Sequence, residues 1–192
     1  MKKKLILLLK IFIFNLFFFQ NVFADLDKNL IENIQNTQTL TFNFQQKINE
    51  KLETGKCFIK YPLLMRCEYK DLKQKSLISN GKTVAIIKKK YKKIYYYPIK
   101  ATPLFIILQK EKILNLVKNT KPVKINLDTI EYEFSDKKFN KTKILFDKKT
   151  LKLKGWQTKD AYSNDVSFML DNVIINNQIV DQFFKIPKEE DL

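Results

Sequence analysis

Between Cys57 and Tyr69 every odd position is apolar or aromatic: Cys57, Ile59, Tyr61, Leu63, Met65, Cys67 and Tyr69. The even positions include Lys56, Lys60, Arg66 and Glu68, and Lys70 follows. A period of two over this length is the pattern of a half-buried antiparallel strand pair, one face in water and the other against apolar material. Pro62 has no backbone N–H to donate, so it marks the connection between the strands and not the middle of either. If Ile59 sits opposite Met65, the same register places Cys57 opposite Cys67. Whatever fold forms must give that apolar face a partner, either protein or a bound molecule.

The amino terminus follows a different rule. Lys2, Lys3 and Lys4 open the chain, the fifteen residues Leu5 to Phe19 are apolar except for Lys10 and Asn15, and Val22, Phe23 and Ala24 precede Asp25. This is the pattern of a secretory signal peptide, residues 1–24, cleaved after Ala24. An uncleaved membrane anchor is the other reading, although the apolar run is shorter than the roughly 20 residues a spanning helix needs. No cysteine follows the cut, so the mature amino terminus is not expected to carry lipid. Residues 25–192 are enough for one domain with its own core, expected to be soluble and monomeric.

In an exported chain two cysteines tend to pair, and opposed residues on neighbouring strands come within disulfide range. Cys57 and Cys67 are therefore either bridged, in a stabilising role, or two thiols lying side by side. The four lysines of the leader leave 32 basic residues against 20 acidic ones, a net charge of +12. Such a balance suits anionic membrane surfaces, phospholipid head groups or nucleic acid. Export argues against nucleic acid, and a composition rich in Lys, Ile, Asn and Phe throughout explains the charge without any partner.

Enzymatic chemistry is disfavoured. The chain has no histidine, only three glycines (Gly55, Gly81 and Gly155) and no CxxC spacing, which removes the usual general base, the phosphate loop and the redox motif. Asp147, Asp160, Asp165 and Asp171 fit no metal or carboxylate-pair spacing and read as turn residues. No cofactor and no metal are expected.

From Asp25 to Thr37 the period is helical, with Leu26, Leu30 and Ile34 four apart and acids near the amino end, where the helix dipole favours them. It then switches to two at Leu40, Phe42, Phe44 and Ile48. Asn80 and Gly81 sit between apolar runs in Ser76–Ile87, a two-residue hairpin signal. Tyr91 to Tyr97 is strand-like, with Lys89, Lys90, Lys92 and Lys93 interleaved. Thr102 as a cap and Pro103 at the first helical position predict a short helix to about Lys110, apolar all round from Leu104 to Leu108. A further helical turn or two is placed between Glu111 and Lys118. Alternation returns at Ile125 and Leu127, Ile130 to Phe134, Ile144 and Phe146, Leu151 and Leu153, Val166 to Leu170, Val173 to Ile175 and Phe183 to Pro187. With about ten or eleven strands and so little helix, the expected class is mainly β (α+β), a strongly curved antiparallel sheet whose concave side must be filled. Phe42, Phe44, Tyr69, Trp156 and Phe168 together exceed what a thin sheet needs, so an apolar ligand is expected.

The order of these signals resembles the periplasmic outer-membrane lipoprotein carrier family, LolA. The resemblance rests on the leader and first helix, FQQ at Phe44 to Gln46, GKCFIKYPLLMRCEY from Gly55, SNGK at Ser79 to Lys82, YYYPIKATPL ending at Leu104, GWQTKDA from Gly155 and the closing FFKIP. It implies an unclosed antiparallel β-barrel with short helices as a lid. It also implies a role in taking acylated lipoproteins from an inner-membrane ABC transporter through the periplasm to the outer membrane, in some lineages through a receptor of the same fold. The cavity is then assigned to Phe42, Phe44, Ile59, Met65, Tyr69, Trp156 and Phe168, and the lid to Pro103, Leu104, Ile107 and Leu108. Family members carry an arginine before the proline of the second strand that latches the lid. Tyr61 occupies that place here, and Arg66, at a basic position of related members, is either the other candidate latch or a plain solvated residue. Ile107→Glu is expected to abolish lipoprotein release with the fold intact. A lipid- or partner-sensing regulatory domain of related fold is the alternative, and a basic protein that binds anionic lipid heads is a third reading.

Overall fold

The computed structural model describes residues 26–136, 140–160 and 162–192; the expected leader and its cleavage after Ala24 lie outside the described residues. Helix α1 spans 26–36 and buries Leu30 and Ile34, two of the residues spaced four apart. Strands β1 (Thr39–Ile48), β2 (Lys51–Lys60), β3 (Leu64–Tyr69), β4 (Lys75–Asn80), β5 (Thr83–Lys88) and β6 (Lys93–Pro98) follow as a meander. Helices α2 (Leu104–Ile107) and α3 (Lys110–Asn119) come next, then β7 (Lys124–Ile125), β8 (Thr129–Asp136), β9 (Asn140–Asp147), β10 (Leu153–Lys159) and β11 (Asp165–Ile175). All form one antiparallel sheet in the order β6-β5-β4-β3-β2-β1-β11-β10-β9-β8-β7, and the sheet does not close. β11 returns to pair with β1, so the first strand lies at the centre and β6 and β7 are the edges.

The register of β2 and β3 sets Cys57 opposite Cys67 and Ile59 opposite Met65, as the alternation predicts. Cys57 and Cys67 are joined in a disulfide with Cα atoms 4.1 Å apart. At the β4–β5 turn Gly81 takes a φ of +94°, which only glycine adopts without strain. The Asn80 Oδ1 accepts from the Lys82 and Thr83 N–H groups and closes the turn.

Three expectations are corrected. The helix placed from Pro103 to Lys110 ends at Ile107, and the longer helix is α3, whose Ile113, Leu114, Leu116 and Val117 are buried on one stripe. Val166 to Ile175 is one strand and not two. Phe183 to Pro187 is no strand: a 3-10 turn occupies Asp181–Phe184, because this segment leaves the sheet and crosses its outer face.

The inner face of the sheet carries the main core. Leu40, Phe42, Ile59, Tyr132, Ile144 and Phe146 from the strands meet Leu30, Ile107 and Ile113 from the three helices and Leu108 just after α2. On the outer face Ile78, Ala85, Ile87 and Ile94 are covered by Ile186 and Leu192 of the C-terminal segment. Arg66 fastens this strap: its guanidinium donates to the Phe183 carbonyl at 3.1 Å, stacks over the Phe183 ring at 4.8 Å and pairs with Glu68 at 2.9 Å. Arg66→Ala is expected to destabilise the protein by about 2 kcal/mol, the worth of a charge-assisted hydrogen bond with its packing. Urea titration reads that loss, and proteolysis should then cut first within the strap.

Candidate functional site

Four aromatic rings cross the inner face as a continuous ribbon. Tyr69 on β3 meets Phe44 on β1 edge-on at 4.8 Å, Phe44 stacks on Phe168 of β11 at 4.7 Å, and Phe168 stacks on Trp156 of β10 at 4.3 Å. The ribbon passes over β2 because Gly55 stands opposite both Phe44 and Tyr69 and has no side chain there. A Cβ at Gly55 would lie 2.6 Å from a Phe44 ring atom.

Above the ribbon is a hollow of about 580 Å³, within the roughly 300–1,000 Å³ of small-molecule sites. Met65, Cys67, Tyr69, Trp156 and Phe168 line its floor, Leu77, Val84 and Ile86 one wall, and Pro103 and Leu104 its cover. Tyr97 of edge strand β6 and Lys159 of β10 border the same space although six strands lie between theirs in the sheet order, so the sheet is strongly curved. The lining is mostly apolar, with Thr102 polar in the cover and Gln46, Thr158, Lys159 and Asp160 forming a polar rim near the strand ends.

That rim is braced on one side. The Tyr69 hydroxyl donates to Gln46 Oε1 at 2.7 Å, and the Lys75 ammonium lies 3.8 Å from the Tyr69 ring centre. Glu53 accepts from Lys75 and Lys51, each at 2.6 Å. Burial pushes the Tyr69 phenol up, helped by the charges of Glu53 and Asp71, so it stays protonated and a donor. Burial also pushes the Glu53 carboxyl up, but the bonds from Lys51 and Lys75 outweigh this and hold it below its ordinary value of 4.5. A depressed carboxylate adds stability that is present above the unfolded value and lost as pH falls through the folded one. The protein should therefore lose stability below about pH 4.5, and thermal melts of Glu53→Gln should show a smaller loss over that range.

The structure separates the sequence-assigned residues into groups. Met65, Tyr69, Trp156, Phe168, Pro103 and Leu104 border the hollow. Phe42, Phe44 and Ile59 lie in the core and contribute no lining. Ile107 and Leu108 are both 0% exposed, so they are core residues, and the Leu63 N–H fastens the Leu108 carbonyl at 2.8 Å. The apolar character of Leu104–Leu108 thus has two causes, since Leu104 faces the hollow while Ile106 and Ile107 are buried in protein. Tyr61 borders a separate space of about 20 Å³ with Ile34, Leu40 and Ile113, and burial pushes its phenol up. Arg66 is on the outer face, where its partners are Glu68 and Phe183. Leu77, Val84 and Ile86 were missed as lining residues, although alternation across the Asn80–Gly81 hairpin marks them.

The aspartates act in turns and surface pairs. Asp147 Oδ1 accepts from the Lys149 and Thr150 N–H groups, and Asp160 Oδ1 from those of Tyr162 and Asn164, while Asp165 pairs with Lys159. Among the described residues no group of three or more metal-ligating side chains comes together.

An open, strongly curved antiparallel sheet with short helices over an apolar hollow is therefore the class of architecture here. Residues 35–187 match the family model of the outer membrane lipoprotein carrier protein LolA, and the chain belongs to that family. No curated protein matches it by sequence. Among solved structures, a conserved uncharacterized protein from Thermus thermophilus superposes with a TM-score of 0.51 at 11% identity, covering 86% of this chain and 94% of that one. A LolA superfamily protein from Nitrosomonas europaea gives 0.43 at 7%, covering 83% and 97%. The Pseudomonas aeruginosa MucA/MucB complex gives 0.44 at 9%, covering 86% and 61%.

Proposed function

We propose that the protein is a periplasmic carrier that hides the acyl chains of lipoproteins between the inner and outer membranes. The observation that carries this reading is the apolar hollow over the aromatic ribbon, open at a polar rim and covered by Pro103 and Leu104. Withdrawing hydrocarbon from water is worth about 0.8 kcal/mol per CH₂, so ten methylenes contribute roughly 8 kcal/mol. The carrier must supply most of that and still let go. It does so if cargo displaces protein from the same apolar surface, so that net affinity is a difference between two contacts.

In this chain the moving part of the cover is Ala101–Leu104. Its far end is anchored by the buried Ile107 and Leu108 and by the Leu63–Leu108 bond, so the cover turns about that end. When Ala101–Leu104 swings out, the hollow lined by Met65, Tyr69, Trp156 and Phe168 gains a wider mouth. The protein enters the periplasm by its leader, cut after Ala24, and works as a binding protein without cofactor. Its partners are an inner-membrane lipoprotein-releasing ABC transporter, acylated lipoproteins and, at the far side, the outer membrane or a receptor in it.

The test is co-expression with the transporter and a radiolabelled lipoprotein in spheroplasts. A soluble one-to-one complex that passes its lipoprotein to outer membranes is expected. A complex that forms but never transfers would assign the fold a sensing role, and no complex would refute the carrier reading.

A further inference from the structure

The connection from β5 to β6 and the strand it enters read Lys88, Lys89, Lys90, Tyr91, Lys92, Lys93 without an acid. The turn leans on the β3–β4 loop, where the Lys90 N–H donates to the Lys73 carbonyl at 3.5 Å and Lys70 and Lys73 are exposed. Lys89 pairs with Glu68 at 3.3 Å. Lys90, Lys92 and Lys93 are exposed and make no ion pair among the described residues. Beside them Tyr91 is 53% exposed. In an antiparallel meander the β1–β2, β3–β4, β5–β6 and β10–β11 connections fall at one end of the sheet, and this is the end where Gln46, Tyr69 and Lys159 border the hollow.

We propose that this lysine and tyrosine corner docks the protein on the head groups of an anionic phospholipid bilayer, with the rim of the hollow turned toward the membrane. The orientation rests on the carrier reading; the binding does not. Lysines near a negatively charged leaflet each add attraction, and tyrosine places its ring at the boundary with its hydroxyl in water. A partner strand on the β6 edge fits less well. The Ile94 N–H is already taken by Glu189 at 2.9 Å, and Pro98 has none to offer, so the edge is blunted against strand pairing.

The test is vesicle flotation with the protein released by osmotic shock from cells expressing the full chain. Vesicles of equal parts phosphatidylglycerol and phosphatidylcholine should carry it upward, phosphatidylcholine alone should not, and high salt should release it. The triple variant K90Q/K92Q/K93Q should bind about a hundredfold more weakly, from roughly fivefold per lysine. The variant K124Q/K148Q/K149Q, which removes the same charge at the other end of the sheet, should float like the wild type. Equal loss in both variants would overturn the corner as a site, as would flotation with neutral vesicles or with none. Acyl-chain uptake in solution should be unchanged in K90Q/K92Q/K93Q, so a failure of docking is distinguishable from a failure of the carrier reading.

Discussion

Leu104→Glu is expected to abolish lipoprotein uptake while leaving the fold in place. Leu104 is only partly buried and faces the hollow, so in the empty protein a carboxylate there keeps access to water through the rim. The cost to the unliganded protein should be about 1 kcal/mol, because Leu104 only borders the main core and remains partly exposed. With an acyl chain in place the carboxylate would have to lose its water without gaining a partner, at a cost of about 3 kcal/mol or more. Affinity should thus fall at least a hundredfold at nearly unchanged melting temperature. The Ile107→Glu test suggested by the sequence does not isolate the lid. Ile107 is fully enclosed, and an unpaired charge there costs about 3–5 kcal/mol of folding free energy before any cargo is offered. Release measured from spheroplasts, alongside melting curves of both variants, checks the distinction.

Gly55→Ala should be among the most damaging single-methyl changes in the chain. Its Cβ would press on the Phe44 ring and on the backbone carbonyl of Glu68 at once. The ring could turn aside, but the carbonyl belongs to the paired strand, so relief requires β2 and β3 to part. Forcing added carbon into a packed site costs about 3 kcal/mol, which for a chain of this size lowers the melting temperature by roughly 6–12 °C. Because Phe44 links Tyr69 to Phe168, the same change should break the floor of the hollow and weaken acyl binding. Calorimetry with a binding assay on the surviving folded protein tests both effects.

The two glycine-linked features show how far the residues alone could be read. Asn80–Gly81 announces a hairpin because a positive φ has few other solutions, and the alternation from Cys57 to Tyr69 specifies both a strand pair and its register. Gly55 carries no such mark. Its role is to let an aromatic side chain from β1 lie across β2, and that depends on which strands are neighbours. The same limit explains the lid: from Leu104 to Leu108 all five side chains are apolar, and only the packing of α2 against α3 and the β2–β3 turn separates Leu104, on the hollow, from Ile107 and Leu108, in the core. Arg66 shows the opposite case, with a latch and a solvated role both open from its residue type. Alternation alone puts it on the face away from Met65 and Cys67, whereas the likeness to relatives drew it toward the lid. The C-terminal strap escaped because Phe183, Phe184 and Ile186 look like one more strand until an outer face exists for them to cover.

Trp156 is the single tryptophan of the chain, stacked on Phe168 at the floor of the hollow, and it reports directly on what enters there. A lipoprotein with brominated acyl chains, compared with its unbrominated form, provides the measurement. Strong quenching of Trp156 in the soluble complex, reversed when the lipoprotein is passed on, is the predicted result. A stable complex in which the bromines leave Trp156 unquenched would place the acyl chains elsewhere and contradict the account.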